Sequence, residues 1–175
     1  MKRFLIFMVV ILLSIIIVGQ DNEKTIEVTM DGFKVWDEKE ATETFEELGQ
    51  VNPGDEILFI IAYKNVSKEL MIPELKMKAK IPAGTEYIPE SATGDSTEVR
   101  IIDETKEATP VQLYFSINEG ESFYKPPLYY EVEMGGIVVK RVATTDMFTD
   151  IMWIYLKDFL PGQEIKVMYK VRVSK

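Results

Sequence analysis

Only carboxylates, lysines, hydroxyls and aromatic rings are available for chemistry here, because the 175 residues include neither His nor Cys. Without imidazole there is no Ser-His-Asp triad, no His general base and no His metal ligand. Without a thiol there is no disulfide, no thiolate nucleophile and no Cys-bound zinc or iron. Asp146 and Asp150 flank Met147-Phe148-Thr149 and, with Asp31, Asp37, Asp55 or Asp158, could offer hard oxygens to Ca²⁺. No EF-hand or other calcium-loop spacing accompanies them, so they read better as solvated loop acids. Two such acids about 5 to 10 Å apart in a cleft would be the minimum for a carboxylate glycosidase, a remote alternative. Lys64 raises a further chemistry, an isopeptide bond to Asn beside a buried protonated acid, which needs a desolvated amine. Most lysines here fall on evident solvent faces instead. Asn65-Val66-Ser67 fits the N-glycosylation pattern, yet a turn explains it better. No catalytic residue, cofactor site or metal site emerges, and the expectation is a protein that is not an enzyme.

The densest candidate for recognition is aromatic. Phe123, Tyr124, Pro126, Pro127, Tyr129 and Tyr130 fall within eight positions. Rings with an apolar body and a polar tip are the anchors that protein and sugar surfaces favour. Phe123, Tyr124, Tyr129 and Tyr130 therefore form the candidate interaction surface, although an alternating strand would bury some of them. A carbohydrate-binding module is the alternative, and it would need a planar row of exposed rings, with Trp36, Tyr129 and Tyr130 as the candidates.

The elements that must position these residues are mostly strands, since apolar residues alternate at period two between Gly and Pro turn signals. Ile26, Val28 and Met30 share one face, and Asp31-Gly32 reads as a turn before Phe33 to Trp36, a first hairpin. Val51-Asn52-Pro53-Gly54-Asp55 is a Pro-Gly turn leading into Glu56 to Tyr63, whose nearly continuous apolar run suits a buried central strand. Leu75, Met77, Ala79 and Ile81 alternate with Lys76, Lys78 and Lys80, one face packed and one wet. Leu160-Pro161-Gly162-Gln163 turns the chain into Ile165, Val167, Tyr169, Val171 and Val173. Trp153, in the apolar run Ile151 to Leu156, is expected inside with its indole nitrogen on a backbone acceptor. Propensity over Asp37 to Gln50 leans towards a helix. Short antiparallel strands at this spacing predict an all-β fold, an immunoglobulin-like antiparallel β-sandwich.

At the N-terminus, Lys2 and Arg3 precede an apolar run from Phe4 to Val18 broken only by Ser14, with Gly19 behind it. That is the pattern of a secretory signal peptide over residues 1–20, and its 15-residue run is short of the roughly 18 wanted for a membrane span. An uncleaved anchor is the alternative, the one circumstance in which a membrane would be a partner. Residues 21–175 then form a single domain of 155 residues, placed outside the cytoplasm, secreted, periplasmic or on the envelope. Loss of Lys2 and Arg3 would take the net charge from −9 to −11, which argues against nucleic acid as a partner.

The stretch VNPGDEILFIIAYKNVSKELMIPELKMKAKIPAGTEYIPESATG, Val51 to Gly94, resembles the bacterial surface-repeat family catalogued as a domain of unknown function. Pro53-Gly54-Asp55, Tyr63-Lys64-Asn65 and the string from Ile81-Pro82-Ala83-Gly84-Thr85 to Ser91-Ala92-Thr93-Gly94 carry the likeness. Phe115 to Gly120 and Ile151-Met152-Trp153 to Gly162 extend it over most of Val51 to Val173. The resemblance implies an immunoglobulin-like fold and an exported or wall-associated location and says nothing of activity; the partner expected is an envelope or extracellular protein. Met152 stands where the family pattern has an Arg. It also implies an extended β arm over about 24–50 in place of a helix.

Overall fold

A computed structural model describes residues 25–37, 43–47, 49–95 and 109–174. The apolar segment 4–18 that suggests export lies outside them. The described chain is all-β: β1 (Ile26–Asp37), β2 (Glu43–Glu47), β3 (Glu56–Asn65), β4 (Lys76–Lys80), β5 (Thr85–Tyr87), β6 (Val111–Ser116), β7 (Tyr129–Met134), β8 (Ile137–Val142), β9 (Asp150–Tyr155) and β10 (Glu164–Val173). A single 3-10 turn, Thr145–Met147, sits between β8 and β9. All pairings are antiparallel.

The strands make a five-stranded sheet in the order β2-β1-β3-β10-β5, a three-stranded sheet β4-β9-β6, and the separate ribbon β7-β8. Alternation decides the core. Leu75, Met77, Ala79 and Ile81 are buried while Lys76, Lys78 and Lys80 are exposed, and Ile165, Val167, Tyr169 and Val171 are buried on β10. Both larger sheets feed one cluster, in which Trp153 of β9 meets Tyr169 of β10 with ring centroids 6.1 Å apart. Trp153 is 0% exposed and its Nε1 donates to the Thr93 carbonyl at 3.0 Å, as its sequence setting predicts. Tyr63 and Tyr169 send their hydroxyls from the larger sheet to the Lys78 and Lys80 carbonyls of β4. The last two strands, β9 and β10, lie in different sheets.

Two expectations need correction. Asp31-Gly32 is not a turn: β1 runs straight through it, pairing with β3 from Ile26↔Asn65 to Val35↔Glu56. Ten residues of β3 offer an unbroken ladder, and a reversal at Asp31 would forfeit half of it. Val28 and Met30 are also exposed, since this end of β1 is an outer edge. Propensity over Asp37 to Gln50 loses too, because the described part of that segment is β2, paired to β1 from Phe33↔Glu47 to Asp37↔Glu43.

Candidate interaction surface

The recognisable string from Ile81 to Gly94 spends its polar residues on structure. Thr85 closes a turn on the Pro82 carbonyl through both N–H and Oγ1, with Gly84 at φ 79°. Ser91 Oγ accepts from the Lys170 N–H, and Thr93 Oγ1 from the Met168 N–H, so the string runs on beyond β5 along the edge of β10. Tyr87 donates to Asp95 and accepts from the Ala92 N–H. Burial, then the Asp95 carboxylate, pushes the Tyr87 hydroxyl far above its ordinary value. Asn65, fully buried, donates to the Leu70 and Phe159 carbonyls at 2.8 and 3.0 Å and accepts from Ser67. Its amide ties two loops together, which is the turn role preferred above to a sequon. Lys64 is exposed, without the desolvation that isopeptide chemistry needs.

The acids are dispersed. Asp55 pairs with Lys34 at 2.7 Å and accepts from the Asn52 N–H, and the Lys34 hydrogen bond leads in holding its carboxyl below the usual range. Asp146 lies in the 3-10 turn. Asp150 opens β9 with Oδ2 buried and unpartnered among the described residues, under the close approach of Gly120. No group of three His, Cys, Asp or Glu among the described residues could hold a metal ion. An open depression of about 420 Å³ is lined by Glu74, Gln112, Tyr114, Ile154 and Asp158 among others.

The four aromatic candidates divide into two pairs. Tyr124, 59% exposed, exchanges two 2.9 Å backbone bonds with Phe115 and so covers the outer edge of β6. Phe123 is half-buried, with the Lys78 ammonium 4.7 Å above its ring. Tyr129 and Tyr130 begin β7, where Tyr130 packs against the core and Tyr129 is 48% exposed under the Lys140 ammonium at 4.6 Å. The side chain of Trp36 lies outside the described residues. Rings already facing an ammonium make a poorer stacking row for a sugar than bare ones.

Beyond Tyr129 and Tyr130 lies what the aromatic reading missed. Buried Leu128 and Ala143, joined by a 2.8 Å backbone bond, anchor the base of the β7-β8 ribbon in the core. From there its strands pair, among the described residues, only with each other, out to a Gly135-Gly136 turn with φ 62° and 81°. Two positive φ values in a two-residue loop are the hairpin geometry that glycine serves best. Tyr130, Val132, Met134, Ile137 and Val139 share one face, because Tyr130↔Arg141, Val132↔Val139 and Met134↔Ile137 are cross-strand partners. Ile137 and Val138 near the tip are 68% and 63% exposed. In the sequence, Ile137-Val138-Val139 next to a Gly-Gly turn carried this signal, but it reads equally as a buried strand. Comparison with family models, curated proteins and solved structures finds no match to this chain.

Proposed function

We propose that this chain is an exported, non-enzymatic β-sandwich of immunoglobulin-like layering that serves as a structural or protein-interaction module of the cell envelope. The observation that carries the reading is the β7-β8 ribbon, which presents Met134, Ile137, Val138, Val139 and Val142 to solvent within one projecting two-stranded element. Exposed contiguous apolar surface of that kind marks interaction sites. Two antiparallel sheets around one core, with a buried Trp on the middle strand of the smaller sheet, support the immunoglobulin-like reading. The standard order keeps the last two strands in one sheet, and β9 and β10, in different sheets, depart from it. The surface-repeat resemblance and the basic start before an apolar run support export.

The test uses the full chain with a C-terminal tag, expressed in its native host and crosslinked in intact cells. Tyr129→Ser with Ile137→Ser should cut partner capture at least tenfold while leaving the unfolding midpoint within a degree or two. Undiminished capture would remove the ribbon as the interaction surface. N-terminal sequencing of the same preparation should begin near Gln20 or Asp21, and recovery of intact Met1 in a membrane fraction would replace export with anchoring.

A further inference from the structure

Open strand edges invite pairing, and natural sheets blunt them. Most described edges here are blunted. β4 alternates Lys76, Lys78 and Lys80, β5 has only three residues, Tyr124 covers β6, and the open half of β1 carries Glu27 and Asp31. In the ribbon, the outer strand β7 carries Glu131 and Glu133. β8 is the least blunted, reading Ile137-Val138-Val139-Lys140-Arg141-Val142, all exposed, with Lys140 the one charge among its outward residues Val138, Lys140 and Val142, against Glu131 and Glu133 on β7. The Ala143 N–H to Leu128 carbonyl bond fixes which groups face outwards. Bonded and non-bonded pairs alternate along an antiparallel ladder, so the 130/141, 132/139 and 134/137 pairs bond inwards. The N–H and C=O groups of Val138, Lys140 and Val142 therefore point away from β7.

We propose that this edge pairs with the same edge of a second copy, β8 against β8 in antiparallel, about a two-fold axis at Val139. The inference rests on the ribbon being an interaction surface, as proposed above, and names its occupant. The register follows from charge. With Val139 on the axis, the outward groups of Val138 meet those of Lys140 in the second copy, and no like charges face each other. Shifting it by two residues one way sets Lys140 against Lys140, which is unfavourable, and the other way shortens the ladder into the turn. On one face Val139 then packs on its own copy, and Ile137 on the stem of Arg141.

Shape supports the same symmetry. Antiparallel β8 strands send the two ribbons in opposite directions, so the bodies lie at opposite ends, and each side-chain-free Gly135-Gly136 tip meets the other body. Pairing β8 with β7 of a further copy would set two bodies on the same side only about 10 Å apart, narrower than a five-stranded sheet of about 20 Å. The two-fold contact also closes, leaving only the acid-bearing β7 edges outside. Five residues a side make a small interface, so the association is weak and needs high protein concentration.

Sedimentation of the full chain, expressed with its own N-terminal segment and purified as the host processes it, tests this between about 10 µM and 1 mM. The expected result is a monomer–dimer equilibrium. Val138→Pro removes an outward N–H without touching an inward ribbon bond, and should weaken dimerisation at least tenfold. Ile137→Glu, whose own ribbon partner is the neutral Met134, sets a carboxylate opposite Arg141 of the second copy only in this register, and should strengthen dimerisation severalfold. Unchanged near-ultraviolet circular dichroism and unchanged amide exchange at Val132 and Val139 in both variants separate edge effects from loss of the fold or of the ribbon. A monomer throughout the range overturns the proposal, as does a dimer indifferent to Val138→Pro or weakened by Ile137→Glu. Hairpin-dependent capture of a different protein by a monomeric chain overturns it too, while leaving the interaction reading intact. Binding of monomer to phosphatidylglycerol vesicles, lost in Ile137→Asp, would assign the ribbon to a lipid surface instead.

Discussion

Two buried side chains carry more of this fold than their size suggests. Trp153 fills the middle of the smaller sheet, touches Tyr169 across the core, and holds the Thr93 carbonyl, so it joins β9, β10 and the Ser91-Ala92-Thr93-Gly94 segment at once. Trp153→Ala should cost about 3 to 5 kcal/mol, read as a loss in the urea midpoint at constant slope. An unchanged midpoint would mean that the cluster rearranges around the missing ring. Asn65 makes a sharper test of chemistry, because Asn65→Asp keeps shape while putting a carboxylate oxygen where the amide donor stood. That oxygen would then face the Leu70 and Phe159 carbonyls, which would keep only their bonds from Ser67 Oγ and the Ile72 N–H. Two lost hydrogen bonds and an oxygen facing oxygens in a buried site should cost about 1 to 3 kcal/mol in all. If Asn65→Asp is as stable as the parent, the amide has been assigned the wrong role.

At the level of elements, the ribbon is energetically separable from the body, since β7 and β8 pair with nothing else described and only Leu128, Ala143 and Tyr130 reach the core. Gly136→Val should strain the φ of 81° by about 1 to 2 kcal/mol, with open space around the site leaving no clash to relieve. Amide exchange at Val132 and Val139 should accelerate while the global melting temperature holds. A fall in that temperature would tie ribbon and body into one cooperative unit. Strands with one wet face were legible from sequence: β4 with its three lysines and β10 with alternating Val, Tyr and Ile fall where the pattern puts them. β1 was misread because Asp31-Gly32 is a local turn signal that a long-range partner, β3, overrides. The ribbon was half legible. Its aromatic base showed, but β-branched residues in a strand give the same pattern whether a sheet covers them or not.

The whole molecule depends on contacts that sequence alone does not pair, above all β3 between β1 and β10, whose partners are about a hundred residues apart. Across that core run Tyr63 and Tyr169, each ending on a β4 carbonyl, with Tyr87 beside them on β5. Burial pushes the Tyr63 hydroxyl up to about 12 and drives those of Tyr87 and Tyr169 higher still. A raised folded-state pKa means that the native state holds a proton which the unfolded chain gives up near pH 10. The stabilisation is complete below about pH 10 and disappears as pH rises through the folded values. Each tyrosine should contribute a slope of about 1.4 kcal/mol per pH unit between its two pKa values. Urea midpoints measured from pH 9 to 12 should therefore fall steeply above pH 10. Lysines titrate in the same range, so the decisive comparison is Tyr63→Phe, which keeps the ring and cannot ionise. Its midpoint should fall less steeply by one tyrosine's share up to about pH 12. Parallel curves for parent and variant would show that the Tyr63 hydroxyl is not sealed in the core, and the two sheets would need another account of how they are held together.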